Sequence, residues 1–558
     1  MNTVEQHKQE KRPLEVIEDL KDYAEEGLSF AEIEARAGEG EWERLKWAGM
    51  YTQKQDDFFM VRTKVPGGFL TPEQAEVIGE VAHDLARAPP EHGGAEQNEL
   101  WGDAYLDITT RQDIQKHWIR VEDVPEMWER YEAVGLTTVQ GCGDSARNVL
   151  GCPAAGLDDH ECFDAQPVVD AVTDFFTGNE EYANLPRKFK MTITGCAEDC
   201  AQSQINDIGL VPARTTLDGE VVYGFHARVG GGLSDGPRMG SELDVFIPPG
   251  DAVEFCRAVA QTFKELGDRH NRGVCRMRYL VEQMGPDAFE AAVRDRCTVD
   301  LPPAGDGLTV GYRGDHVGVH EQKQDGLVYV GFNVIAGRMG GKEFADAARA
   351  AIQHGTEETS VRLATDQNFL ITHIPDENVE DLLEEPFAQE YSPDPGPFSR
   401  GAVACTGNEF CNYAIIETKQ RTKRWARELD ERLDVPEDLE VVRMHMSGCS
   451  ASCAQPQIAD IGFRGETVKL EDEGLLEGMD VGLGGSLGVD NAFLDWVETA
   501  VPADAVIPAL EELLSAYTEE RTDGERFYAW CRRVENDRLQ SIMQRAEAPV
   551  AQGVAHGD

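Results

Sequence analysis

The chain is predicted to be an α+β protein built as a pseudo-twofold pair of matched halves, and three observations predict it. A strand-helix unit occurs twice, a Gly-Cys-x3-Cys segment occurs twice, and a glycine-rich turn follows each cysteine segment at a comparable distance. Strands alternating with helices place the chain in the α+β class. Two related halves further imply an active site near their junction.

The elements follow in order. The first 45 residues read as charged amphipathic helix, an arm packing on the body. Gln53-Lys-Gln-Asp56 and the apolar run after it, ending at Gly68, recur as Gln322-Lys-Gln-Asp325 and the run ending at Gly337. Each copy reads as a strand running into a helix, Pro72 to Ala86 in the first half and Gly341 to Gln353 in the second. Thr194-Gly-Cys-Ala-Glu-Asp-Cys200, continuing to Gly209, then matches Ser447-Gly-Cys-Ser-Ala-Ser-Cys453, continuing to Gly462. The glycine turns are Gly230-Gly-Gly-Leu-Ser-Asp235 and Gly484-Gly-Ser-Leu-Gly488. A boundary between the halves falls near residues 295 to 310, where Val299-Asp-Leu-Pro-Pro-Ala-Gly-Asp-Gly307 breaks the pattern. Glu384-Glu-Pro386 and Ser392-Pro-Asp-Pro-Gly-Pro397 read as linkers.

With 558 residues and 41% hydrophobic content, the chain can bury several cores. Its 103 acidic against 52 basic residues give a net charge of −51, spread along the whole length. That favours a solvated acidic surface, as in a halophile's cytoplasmic enzyme, and argues against a nucleic-acid partner. The N-terminus has no apolar leader segment and no stretch approaches a membrane span, so the expectation is a cytoplasmic protein without membrane contact. Its 13 cysteines in such a context point to metal or reactive thiols before disulfides. Cys256, Cys275, Cys297 and Cys531 stand alone in helical-looking contexts and read as inert buried thiols.

Four other cysteines carry the chemistry. Cys405 and Cys411 are spaced Cys-x5-Cys, and Cys449 and Cys453 are spaced Cys-x3-Cys after a long gap. Four thiolates so arranged can converge on one inorganic centre, as [4Fe-4S] ligands do. The first half concentrates basic residues where the second is neutral or acidic. Arg62 aligns with Gly331 and Arg111 with Asp366, while Arg147 and Arg187-Lys-Phe-Lys190 add four more cations. In so acidic a chain they read as a cavity collecting anions, Arg with a bidentate fork and Lys with a point charge.

The motifs Cys405-Thr-Gly-Asn-Glu-Phe-Cys411 and Gly448-Cys-Ser-Ala-Ser-Cys453, with Pro456-Gln-Ile-Ala-Asp-Ile-Gly462, resemble the signature of the assimilatory nitrite and sulfite reductase family. The resemblance covers the chain from about Gly49 to Arg533. It implies sirohaem and a [4Fe-4S] cluster as cofactors. Cys405, Cys411, Cys449 and Cys453 then become the cluster ligands, with Cys453 also bridging to the sirohaem iron. By the same resemblance Arg62, Arg147, Lys188 and Lys190 hold the anionic substrate and supply protons, and Arg111, Gln115 and Arg187 bind the sirohaem carboxylates. The implied architecture is a helical arm (1–48), a ferredoxin-like half-domain (49–125) and a cationic reductase domain (126–295), then a second ferredoxin-like half-domain (305–390) and a cluster-binding domain (391–545). Reduced ferredoxin is the implied donor, and the chain is expected to work as a monomer.

Thr406-Gly-Asn408 and Ile416-Glu-Thr-Lys419 look more like the nitrite branch, whereas Lys190 looks like the sulfite branch, since a second lysine suits a dianion. Nitrite is the reading adopted and sulfite the alternative. Ser145 cannot form the cysteine-tyrosine crosslink of some sulfite reductases, and Ala451 stands where many members have asparagine. The basic run Lys419-Gln-Arg-Thr-Lys-Arg424 is either a docking patch for the donor or a solvated helix face. Cys196 and Cys200, with Cys142 and Cys152 upstream, leave three readings open: a vestige of duplication, which is favoured, a zinc or second iron-sulfur site, and a redox thiol pair. A structural four-Cys zinc protein would need no arginine-lined cavity, and a simple electron carrier would not need two matched halves. No dinucleotide-binding glycine motif opens a helix after a strand, so the donor lies outside the chain.

Overall fold

A computed structural model describes residues 2–96, 98–436, 438–439, 441–470 and 474–553. The chain divides into two compact units. The first comprises residues 1–232, 238–332 and 338–393, and the second comprises 233–237, 333–337 and 394–558.

The first unit contains both copies of the strand-helix unit, and they exchange strands. One antiparallel sheet runs Met50–Thr52, Phe59–Thr63, Ile114–Ile119, Tyr105–Ile108 and, from the second half, Arg338–Gly340. The other runs Gly318–Glu321, Leu327–Phe332, Phe369–Pro375, Val361–Leu363 and, from the first half, Phe69–Leu70. Each half therefore completes the other's sheet. Arg338, fully buried, fixes its borrowed strand by donating to Asp107 at 2.6 and 3.0 Å while stacking 4.3 Å over the Tyr105 ring. Two matched glutamines repeat the exchange at side-chain level. Gln112 Nε2 donates to Leu363 O at 2.8 Å, and Gln367 Nε2 donates to Ile108 O at 2.9 Å.

The expected helices appear as Pro72–Leu85 and Gly341–His354. Thr71 caps the first, with Gln74 answering in a capping box. The two helices pack so closely that glycine is needed at the crossing. A Cβ on Gly79 would stand 2.6 Å from Ala345 N and 2.7 Å from Gly341 O.

The duplicated cysteine segments lie in two further sheets. In the first unit Met191–Ile193 runs parallel to Ile208–Leu217, which continues antiparallel through Glu220–Val229 and Ser241–Ile247. The second unit repeats this with Met444–Ser447, Ile461–Leu470, Gly474–Leu483 and Asp495–Pro502, and adds Ala402–Ala404 parallel to Met444–Ser447. Each sheet buries one face on long amphipathic helices, Ala252–Leu266 in the first unit and Ala503–Glu520 in the second.

The N-terminal arm is a set of short helices rather than one, Thr3–Glu10, Val16–Glu26, Phe30–Ala37 and Gly40–Arg44. Pro13 opens a separate turn, and Gly27 and Gly38 adopt positive φ of 66° and 75° that end their helices. The arm is nonetheless packed: buried Lys8 donates to Leu185 O at 2.9 Å and pairs with Glu5. Cys256 and Cys531 are buried in helices as expected. Cys275 is buried and Cys297 half-buried, both outside helices.

In an ordinary helix interior Gly→Ala stabilises by about 0.5–1 kcal/mol. Here Gly79→Ala should instead destabilise by about 1–3 kcal/mol, because the added methyl meets backbone that cannot yield. Urea unfolding followed by circular dichroism in high-salt buffer checks the sign; a stabilised variant would refute the close crossing.

Candidate functional site

In the second unit the parallel strands Ala402–Ala404 and Met444–Ser447 end side by side, Ala404 in register with Met446. The residues that follow them are Cys405 and Gly448-Cys449, so strand register alone brings the two cysteine segments together. Cys405 N–H donates to Met446 O at 3.1 Å, and Gly448 N–H donates to Cys405 Sγ at 3.2 Å. Gly407, at φ 73°, turns the chain back so that Cys411 N–H donates to Gly407 O at 3.1 Å. Ile415 N–H closes the loop onto Gly448 O at 2.8 Å. Gly448 is held to a bare backbone here, since a Cβ would stand 2.9 Å from that of Ala414. Burial pushes the Cys405 thiol up to about 12, with further opposition from Cys453 and Cys411. Cys449 is raised by burial and then by Cys453, Cys411 and Asp235. The four cysteines thus converge, half-buried except for the exposed Cys453. Four soft donors, two of them with ionisation opposed by burial and by the other thiols, with an amide aimed at one sulfur, suit a metal centre that would take the charge.

The cations of the first unit converge separately. Arg62, on the strand Phe59–Thr63, pairs in register with Gln115 and lies 3.9 Å from Asp113. Its Nη1 donates to Gly141 O at 3.2 Å and to Cys142 Sγ at 3.1 Å. Arg111 Nη1 donates to Asn206 Oδ1 at 2.8 Å and its Nη2 to Asn148 O at 2.6 Å. Burial pulls the Arg111 guanidinium down to about 9 and pushes the Asp113 carboxyl up to about 6, the latter against Arg62, Arg111, Arg147 and Lys64. Lys190 is held well below its ordinary value by burial and then by Arg111, Lys188 and Arg276. Buried Arg147 Nε, Arg111 Nε and Asp113 Oδ1 have no hydrogen-bond partner among the described residues. Cations crowded together in this way, two of them arginines with a buried and unfilled Nε–H, fit a polyanionic group and a small anion better than they fit one another.

Arg187 stands apart from this cluster, 3.5 Å from Asp144, where Lys8 and Arg272 also point. Sequence reasoning missed Arg276, which clamps Asp207 at 3.0 Å beside Lys190, and the supporting Asn148 and Asn206. The pair Arg276-Met-Arg278, basic in an acidic chain, was the signal for the first of these. The basic run at 419–424 is not an intact surface patch. Lys419 and Lys423 are buried, Lys419 donating to Ala336 O, and Arg421 donates to Glu477 at 2.6 Å, which leaves Arg424 as the exposed cation of the run.

Residues 142–301 and 396–549 match the 4Fe-4S domain of nitrite and sulphite reductases, and residues 51–134 and 320–388 match the ferredoxin-like half domain of nitrite and sulfite reductases. The chain belongs to the nitrite and sulphite reductase family. Within that family it is 39% identical over 535 residues to an assimilatory ferredoxin-dependent nitrite reductase of Haloferax mediterranei, covering 92% of this chain and 89% of the relative. It is 37% identical to a ferredoxin-nitrite reductase of Synechococcus elongatus, covering 92% and 96%. The solved structure of the Mycobacterium tuberculosis NirA protein superposes with a TM-score of 0.85 at 31% identity, covering 96% of this chain and 97% of that one. The family's half domains are the two strand-exchanged sheets, and its 4Fe-4S domain spans both duplicated cysteine segments.

The depressed Lys190 yields a test on the cofactor-free protein. A lysine whose folded value lies below its unfolded one costs stability fully at low pH, and the cost fades as pH rises through the folded value toward about 10.4. Lys190→Met should therefore raise the thermal midpoint by about 2–4 °C at pH 6, an advantage that vanishes near pH 10. A gain independent of pH would show that side-chain packing, not charge, is responsible.

Proposed function

We propose that this protein is a ferredoxin-dependent assimilatory nitrite reductase, reducing nitrite to ammonium with six electrons and eight protons. The observation that carries the reading is the 39% identity to a nitrite reductase of that description over nearly the whole chain. Cys405, Cys411, Cys449 and Cys453 would hold the [4Fe-4S] cluster, with Cys453 shared with the iron of a sirohaem. When bound, these centres supply the electrons and the iron to which nitrite binds.

The chain's own residues supply the rest. Arg111 and Gln115, with Arg187 at the Asp144 cluster, are assigned to the carboxylates of the macrocycle, and Arg276 joins them on its position beside Lys190. Arg62 and Arg147 attract and orient the anion through their guanidinium N–H groups, and Arg147 Nε is buried with no hydrogen-bond partner among the described residues. Lys188 and Lys190 donate protons as N–O bonds break. A lysine crowded by like charges gives up its proton more readily than a free one. Asp113, lifted toward neutrality at about 6 and 3.9 Å from Arg62, can hold a proton close to the same site.

The same crowding bears on substrate choice. Lys190 suggested a dianion in the sequence, but its positive form is opposed by burial, Arg111, Lys188 and Arg276. The site therefore offers less charge than a count of cations implies, which suits monoanionic nitrite. We place the enzyme in the cytoplasm of a salt-tolerant cell, on its charge of −51. Among the described residues no helix is long and apolar enough to cross a membrane.

With reduced methyl viologen at high salt, kcat/KM should be higher for nitrite than for sulfite, and the reverse order would overturn the assignment. Arg147→Gln should lower kcat/KM for nitrite by roughly 10²-fold, the loss expected when one oriented donor is removed from a charge-stabilising site. Steady-state kinetics alongside the visible spectrum separate that loss from loss of cofactor.

A further inference from the structure

The first unit holds a second group of soft ligands that the reductase chemistry does not use. Cys152, Cys196, Cys200 and His316 are all buried. The sulfurs of Cys152 and Cys200 and a ring nitrogen of His316 lie within 4.8 Å of one another. Cys196 Sγ is 3.6 Å from Cys200 Sγ and also in hydrogen-bond contact with Cys152. Cys142, which the sequence grouped with them, is elsewhere, bonded by Arg62.

Strand register explains how the group arose. Leu150 bridges Thr192 in parallel, as Val403 pairs with His445, so Cys152 lies two residues past its bridge as Cys405 lies two past its own pair. Gly195-Cys196 and Cys200 correspond to Gly448-Cys449 and Cys453. Three of the four positions of the cysteine centre are thus kept in the duplicate. The fourth ligand comes from His316, at the end of the irregular stretch that joins the halves.

Cys152, Cys200 and His316 lie close enough together for a single metal ion, and Cys196, outside that 4.8 Å group, would close on it from beside Cys152 and Cys200. Tetrahedral zinc with Zn–S bonds of about 2.3 Å sets its sulfurs about 3.8 Å apart. The 3.6 Å separation of Cys196 and Cys200 fits this, whereas a disulfide needs about 2 Å and a cubane spreads its ligands over four separate irons. His316 Nδ1 lies 3.2 Å from the Tyr329 hydroxyl, and its Nε2 is buried with no hydrogen-bond partner among the described residues. With Nδ1–H donating to the Tyr329 hydroxyl, Nε2 presents a lone pair. Three thiolates and one Zn²⁺ leave one negative charge, and positive groups stand ready for it. Buried Arg362 interacts with Cys152 while donating to Pro153 O and Ala155 O at 3.0 and 2.7 Å, and Arg313 interacts with Cys200. Glu198 N–H points at Cys196 Sγ from 3.4 Å.

We propose that Cys152, Cys196, Cys200 and His316 bind one Zn²⁺ in a closed structural site, the thiol protons passing to solvent as the ion enters. The site staples the joining segment to the first half. That segment, 308–317, has no helix or strand, and it touches the cysteine loop through Val310 N–H to Ala197 O and Arg313 N–H to Glu198 O, both 2.8 Å. A metal there supplies the order that regular hydrogen bonding does not.

The test uses the full-length purified enzyme. Elemental analysis should give about one zinc per chain that survives dialysis against EDTA. Zinc-edge X-ray absorption should show three sulfurs at about 2.3 Å and one nitrogen at about 2.0–2.1 Å. Cys196→Ser should lose most of the zinc, at least tenfold, while iron content and the visible spectrum stay unchanged, and His316→Cys should keep it. Should the serine variant fail to fold, the absorption edge of the unmodified protein still decides. Zinc below roughly 0.1 per chain, an oxygen-rich zinc shell, iron in the tetrahedron, or a disulfide among the three cysteines would each overturn the proposal.

Discussion

The architecture depends on one buried interaction made twice. Asp207 and Asp460, the aspartates of the repeated Asp-Ile-Gly triplet, are buried at the base of the paired strands. Asp207 accepts from Lys190 N–H at 2.9 Å, and Asp460 accepts from Arg443 N–H at 2.8 Å. The next residues, Ile208 and Ile461, bond back to Lys190 O and Arg443 O, and Gly230 and Gly484 close onto the aspartate carbonyls at 3.0 Å. Each carboxylate thereby sets where a parallel strand pair begins, and so where its far ends deliver the cysteine loops. In the first unit the carboxylate also anchors Arg276 beside Lys190, so a single side chain links the strand framework to the cationic site. A buried charge left without such partners would be strongly destabilising, which ties the framework's integrity to the site's electrostatics.

The duplication was legible in the sequence because each repeated motif has a local physical job. The Gln-Lys-Gln-Asp turns, the glycine turns and the Asp-Ile-Gly triplet mark strand ends, and the two helices were placed to within a residue. The cysteine segments were legible for the same reason, since ligand spacing is a chain-local property. What could not be read was anything set by distant partners. The exchanged strands Phe69–Leu70 and Arg338–Gly340 are too short to carry a pattern of their own, and Arg338 explains itself only once Asp107 lies opposite. The basic run at 419–424 looked like a surface until helix packing buried Lys419 and Lys423. His316 carried no signal because its companions lie more than a hundred residues away.

The two copies of one framework have diverged toward opposite electrostatics. In the second unit the loops gather thiols that resist ionisation without a metal. In the first, the irregular stretch before Cys152 carries Arg147 and the turn after Ile108 carries Arg111, groups buried beside like charges at a cost to stability. Both are arrangements in which the protein alone is unsatisfied. Holding such groups rigid before their ligands arrive means that little reorganisation is needed when charge is delivered.

The strand exchange has a consequence for how the chain is made. The first sheet needs Arg338–Gly340, which leave the ribosome more than two hundred residues after Tyr105–Ile108. At roughly 5–20 residues per second, the nascent first half waits on the order of ten seconds or more with an open sheet edge. An unpaired edge is a template for the wrong partner, including the same edge on a neighbouring nascent chain. The dense negative charge of this protein, besides keeping the finished molecule dissolved, holds such half-made chains apart during synthesis.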